Sequence, residues 1–402
     1  MSKSDFLFLA ILACIPVQLG KFFWPKFSYV LGIPIDYLAV TVYLTDILIT
    51  AYLIFFTVEN LLAKGQSLKN LNKKILNLKS FLVVLILFNF YLLIWALIAR
   101  SPASVYFSFK FLEFSLLSLF AALTLSSDKV RKYSIKIFIF SIIWQSALIF
   151  FQFVTQRSLG LWILGERSFD STTIGIAHAQ ILGSQLLRPY GTFPHPNVAG
   201  AFLVIGLIII GRQKLLKIIT ITAIFLTFSK AAVFSLAIYT LSLFQSFKHQ
   251  LLALLILILL AFWLLTSLPD SQVATISERL LLSQAALDIA LANPLFGVGS
   301  GNFIIELSKL NLVSLSEVRL LQPVHNIFLL ILAENGLIGL FLFVVLLFVV
   351  AKSATSGTKL ILLTFILIYA SFDHFFLTLN QGRLLFWLSI SFIISSSKPT
   401  SS

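Results

Sequence analysis

The sequence predicts an all-α, polytopic integral membrane protein of about twelve transmembrane helices, with a large extracytoplasmic loop that carries an amphipathic helix. Three observations predict it. Hydrophobic residues make up 59% of the 402 and charged residues 11%, where a soluble globular domain is about half apolar and about a quarter charged. Apolar runs close to the roughly 20 residues that cross a bilayer recur along the chain. The 29 Lys and Arg gather mainly in short stretches between those runs, such as 64–74, 126–136 and 212–217.

Taken in order, the opening MSKSDFLFLAILACIP resembles a signal peptide, and ILAC resembles a lipoprotein cleavage site. Further spans follow at once, so the expectation is a first transmembrane helix that stays in place. Spans are expected with centres near about 12, 47, 89, 115, 147, 204, 222, 238, 259, 339, 367 and 389. An even count puts both termini on one side. With the termini cytoplasmic, inner segments hold 17 Lys and Arg, outer segments hold 11, and Lys110 lies within a span. This is the positive-inside bias, and the opposite orientation would reverse it.

The whole chain, 1–402, reads as a single membrane domain with two long outer segments, about 157–196 and about 269–325. Neither is large enough for a nucleotide fold, and there is no Walker loop or His-Glu-x-x-His pattern. The single Cys14 excludes an intramolecular disulfide and a cysteine metal site. The net charge of +14 does not signal nucleic-acid binding, because the basic residues flank membrane spans. Any chemistry is expected at the outer face, without cofactor or metal.

The outer segments carry the residues for it. RPYGTFPHPN, 188–197, sets a cation, two prolines and a histidine before an apolar run. Asn197 is a plausible cap for the sixth span, with Pro194 and Pro196 stiffening its entrance and His195 between them. Arg188 is permanently charged, and its planar fork suits a phosphate oxygen. Lys230, in TFSKAA, is a further cation at the same level. Snorkelling toward lipid headgroups is the structural alternative for each.

In the second segment, TISERLLLSQAALDIALANP reads as an amphipathic helix outside the membrane. Thr275 and Glu278 have capping-box spacing, Arg279 sits in its first turn, and Pro294 marks its end. Gly297, Gly299 and Gly301 follow at alternate positions, a run that lets backbone N–H groups approach an anion. His325 and Asn326 stand at the mouth of the tenth span, as caps or, for His325, as a general base that titrates near neutral pH. Asp46, Lys110, Glu113, Glu334 and Asn335 lie inside spans and are expected to face protein. Lys110 and Glu113 have pairing distance along a helix, and Asp373 and His374, near the outer end of span eleven, are second-tier candidates with a structural reading ahead of the functional one.

These stretches, RPYGTFPHPNVAGAFL, FSKAA, RLLLSQAALDIALANPLFGVGSGNF and HNIFLLILAENGLIGL, resemble in order the O-antigen ligase and polymerase family of bacterial membrane glycosyltransferases. The resemblance is strongest over about 188–345. It implies a GT-C-like fold in the bacterial inner membrane and a glycan donor on undecaprenyl diphosphate. The acceptor would be a hydroxyl of a glycan, of a lipid core or of a protein. By matching positions it implies that Arg188 and Arg279 bind the diphosphate and that His325 is the general base. Lys230 departs from the pattern, since relatives often carry arginine there; lysine keeps the charge and loses the fork. A transporter or flippase of the same lipid-linked glycan is the rival reading. It would place its polar residues at the midplane on broken helices.

Overall fold

The computed structural model describes residues 1–62, 66–181, 184–211, 213–242, 270–310 and 319–395. The span expected near position 259 and the basic residues Lys64 and Arg212 lie outside the described residues. Helix α1 (Lys3–Ala13) is followed by strands β1 (Gly20–Phe23), β2 (Tyr29–Val30), β3 (Ile33–Pro34) and β4 (Val40–Tyr43); β1 pairs with β4 and β2 with β3, both antiparallel. Helices α2 (Leu44–Leu61), α3 (Gln66–Asn77), α4 (Lys79–Ile98), α5 (Pro102–Leu125) and α6 (Asp128–Thr155) come next. A hairpin of β5 (His178–Ile181) and β6 (Ser184–Leu187) precedes α7 (Pro196–Ile209), α8 (Lys214–Leu226) and α9 (Lys230–Ser242). Last come α10 (Asp270–Ala292), α11 (Phe303–Leu307), α12 (Ile327–Lys352), α13 (Gly357–Phe372), α14 (Phe375–Thr378) and α15 (Asn380–Ile394).

Among the described residues, α2, α4, α5, α6 and α12 are long and apolar enough to cross a membrane, and α7, α9 and α13 are apolar but shorter. The chain is therefore a mostly helical, multi-pass membrane protein. Two early positions differ from expectation. α1 has only 11 residues, because Pro16 lacks the N–H an extending helix needs and polar sequence follows. The second span begins at Leu44, so Asp46 falls in its first turn and not within it. There its Oδ2 accepts the Tyr43 N–H at 2.8 Å, at the helix end that favours a carboxylate.

The chain divides into two compact units. The first comprises Met1–Ile15, Leu19–Ser134 and Leu281–Ser402. α15 is buried along nearly its whole length there, with Trp387 edge-on to Phe111 and Phe111 against Phe88. The α10 residues Leu282, Ala285, Ala286 and Ile289, one face of a helix, are buried in a core with Phe303, Leu307, Leu321 and Val324. The opposite face is not polar, since Leu280, Leu287 and Leu291 are exposed. α10 begins at Asp270, so Thr275 lies inside it and the expected capping box does not mark its start; it ends at Ala292, just before Pro294.

α12 is broken within its length. Gly336 has φ +63° and ψ −168°, and the free N–H groups of Leu337 and Ile338 donate to the carbonyls of Pro294 and Leu295 at 2.8 and 3.3 Å. The glycine loop crosses at this break. Val298 and Gly299 donate to the carbonyls of Ala333 and Glu334, at 3.1 and 2.6 Å. A Cβ on Gly336 would meet the Leu295 backbone at 2.3 Å, and one on Gly297 the Glu334 backbone at 2.4 Å. Two bare backbones are needed for that crossing.

The second unit comprises Pro16–Gln18 and Ile135–Leu280. Two glutamines of α6 hold the stretch before α7. Gln152 Oε1 accepts the N–H groups of Tyr190 and Gly191 at 3.0 and 2.8 Å, while its amide donates to Gly191 O and Glu166. Gln145 accepts the Thr192 N–H at 3.3 Å and donates to its hydroxyl at 2.7 Å. Buried polar backbone outside regular structure is costly unless paired, and these side chains supply the pairs. Gly191 has φ +60°, and any Cβ there would strike Gln145.

Candidate functional site

Two of the expected cations of the second unit act on the third. Arg188 leaves the end of the 157–196 segment with its guanidinium fixed on two sides. Its Nε donates to the carbonyl of Thr227, the last residue before the α8–α9 turn, at 3.0 Å, and a terminal nitrogen donates to Asn197 Oδ1 at 2.9 Å. Lys230 opens α9 beyond that turn, ahead of its apolar run. Desolvation first, then the charges of Arg279 and Arg188, hold its ammonium below the ordinary lysine range. Arg188 and Arg279, from separate connections, thus each act on Lys230, whose side chain is exposed.

One expectation is corrected here. The cap of α7 is His195, whose Nδ1 accepts the Asn197 N–H at 3.1 Å. Asn197 stands one turn-position too far in for that role, since Pro196 occupies the first helical position. Its side chain orients Arg188 instead.

In the first unit, Asn326 caps α12, accepting the Leu329 N–H at 3.0 Å, and its amide donates to Ser371 O at 3.1 Å. His325 precedes it, partly exposed, with its ring edge-on to that of His374 at 5.0 Å. His374 is buried; its Nδ1 lies 2.7 Å from Thr378 Oγ1, and its other side meets Tyr37 at 5.4 Å. Asp373 is buried and accepts the His374 N–H at 2.8 Å. So His374, a second-tier candidate in the sequence, is the ring packed against His325.

The glycine run meets an anion of the chain itself. The N–H groups of Gly301 and Phe303 donate to the buried Glu334 carboxylate, the latter at 3.2 Å, while Gly299 binds the Glu334 carbonyl. Glu334 also lines a cavity of about 80 Å³ with Tyr37, Lys110, Ser300, Thr378 and Arg383. Lys110 bonds Asp46 Oδ2 at 2.6 Å and Glu113 Oε2 at 2.9 Å, so the expected pair is a triad. Arg383 is 8% exposed within α15, donates to Leu377 O at 2.7 Å, and lies over Phe107. Sequence reasoning places Arg383 in an outer segment and passes over Tyr37. The usable signal for Arg383 is a cation in the first turn of the apolar run NQGRLLFWLSISFII; Tyr37 offers none.

The second unit of this multi-pass helical membrane protein thus holds an oriented arginine that acts on Lys230, and the first holds a histidine at a helix mouth. Residues 215–344, about a third of the chain, match the family model for O-antigen ligase. The match bears out the resemblance to the O-antigen ligase and polymerase family and supports a membrane glycan enzyme of that type. It covers Lys230, Arg279, Gly299, His325, Asn326 and Glu334, and stops short of Arg188, His195 and Asn197. No curated protein matches the chain.

Proposed function

We propose that the protein transfers a glycan from undecaprenyl diphosphate to an acceptor hydroxyl at the extracytoplasmic face of the bacterial inner membrane. In this reading the chain crosses the membrane twelve times, both termini are cytoplasmic, and no cofactor or metal takes part. The observation that carries it is that Arg188 and Arg279, from separate connections, both act on Lys230, a cluster of positive charge suited to a diphosphate.

The chemistry follows. A ring nitrogen of His325 takes the proton of the acceptor hydroxyl, whose oxygen attacks the anomeric carbon of the donor sugar. The bond from that carbon to the diphosphate oxygen breaks, and the electron pair leaves with the diphosphate. In this reading guanidinium groups meet the growing charge on the leaving oxygen, a form of electrostatic stabilisation. General-base help of this kind is worth about 10²–10⁴-fold. Thr378 contacts the His374 ring that stands edge-on beside His325.

The test is transfer in reconstituted membranes from an undecaprenyl-diphosphate oligosaccharide to a panel of acceptors. His325→Ala is expected to reach the membrane normally and to lose transfer, and the acceptor used by wild type separates ligase from polymerase. Normal transfer by the variant removes the general-base role. A transporter of the same lipid-linked glycan has one observation in its favour, the break of α12 beside Glu334. Against it, Arg188 stands at the end of a connection and Lys230 at the start of α9, not at that break. Movement of the lipid-linked glycan between leaflets with no covalent product would decide for the transporter.

A further inference from the structure

A second cavity, of about 280 Å³, lies in the first unit where α3, α5, α12 and α15 end and α13 begins. Its wall carries Lys74, Ser126, Ser353, Thr355, Lys359 and Ser395, a set of cations and hydroxyls at the helix ends remote in sequence from His325. Lys359 is buried, and its Nζ donates to the Ser395 carbonyl at 2.8 Å; an ammonium has three such donors. Arg131 is near enough to act on Lys359 electrostatically and is itself 8% exposed. The carboxylate paired with Arg131 is Asp128, at 3.1 Å, and that side chain is 90% exposed.

Among the described residues neither Lys74 nor Lys359 belongs to an ion pair with a carboxylate. Helix C-termini of α5, α12 and α15 meet here, and their carbonyl ends favour cations. That accounts for the ammonium held at Ser395. It does not account for the open volume beside a second lysine and a line of hydroxyls.

We propose that this cavity binds the phosphate headgroup of an anionic membrane lipid. Clustered basic groups between membrane helices, at the depth where the helices end, are suited to such headgroups. Pockets for drug-sized ligands run to about 300–1,000 Å³, so the volume here admits a phosphodiester with a short polyol and little more. Leu76 and Leu360, beside Lys74 and Lys359 in sequence, are exposed and offer apolar surface to the acyl chains. Thr355 also lines the cavity, while the Ser126 and Ser353 hydroxyls donate to the carbonyls of Ala122 and Val349 at 3.0 and 3.4 Å.

The test is native mass spectrometry of the purified full chain in detergent, with phosphatidylglycerol, phosphatidylcholine and inorganic phosphate added separately and in competition. One phosphatidylglycerol is expected to be retained in preference to phosphatidylcholine, with no displacement by millimolar phosphate. Lys74→Gln, which removes no bond within the protein among the described residues, is expected to weaken retention about fivefold. Lys359→Gln is expected to do at least as much. Equal retention of the two lipids overturns the proposal, as does unchanged retention in both variants. Displacement by inorganic phosphate would assign the cavity to a free anion and overturn the lipid assignment.

Discussion

Charge is handled in opposite ways in the two units. In the first, Lys110 holds Asp46 and Glu113, and Arg383 acts on Glu113 from α15, so two cations and two carboxylates close on themselves. In the second, Arg188 is steadied by neutral oxygens of Thr227 and Asn197, and its charge and that of Arg279 bear unfavourably on Lys230. A balanced set lowers the cost of burying polar groups between helices. Like charges drawn near one lysine suit an anion, and the oxygens of Thr227 and Asn197 aim the Arg188 fork.

The comparison breaks most visibly at Lys110. Lys110→Met leaves two buried carboxylates without their shared cation, which should cost about 3–5 kcal/mol of stability, read as a fall in the melting temperature of solubilised protein and in membrane abundance. Melting as in wild type would show that the balanced set is not structural. Arg279→Lys should do the reverse: unchanged melting and about a tenfold loss of transfer, since the charge stays and the fork goes. An unchanged rate would make Arg279 a surface cation.

Smaller effects sharpen the contrast. Asn197→Ala frees the Arg188 guanidinium on one side and should raise the KM for the lipid-linked donor about fivefold, the worth of one partly exposed bond to a charged group; an unaltered KM would leave Asn197 as filler. The pH dependence has a definite sign. The Lys230 ammonium is held below its usual range, so it loses its proton earlier than other lysines as pH rises, and donor binding should weaken on the alkaline side. Lys230→Arg should keep that binding at alkaline pH. Identical profiles for the two proteins would place Lys230 outside the anion site.

Much of this organisation is legible in the sequence, and the rest fails for identifiable reasons. Apolar runs give the helices, and the cations at 188, 230 and 279 stand out because each interrupts a connection between such runs. The broken α12 has a local signal, since Glu334, Asn335 and Gly336 interrupt the apolar run and Asn-Gly favours a turn, but the crossing depends on carbonyls of Pro294 and Leu295, some 40 residues earlier. The capping role of His195 is hidden for a different reason. Histidine and asparagine both offer an acceptor, and only the placement of Pro196 at the first helical position decides between them. His374 lies near Asp373 and Thr378 in sequence, yet its neighbour His325 comes from another helix mouth, a pairing no local pattern encodes.

Gln145 and Gln152 are seven residues apart on α6, two helical turns, and they grip the backbone of residues 190–192. Each inserted or deleted residue between them would swing one glutamine about 100° around the helix. The interval therefore works as a jig, which tolerates substitution on its outward side and no change in length short of whole turns. Genetic drift in this region should accordingly accept new side chains on α6 far more readily than insertions or deletions. The shape of the arginine-bearing loop is inherited from a spacing in a helix that carries none of its chemistry.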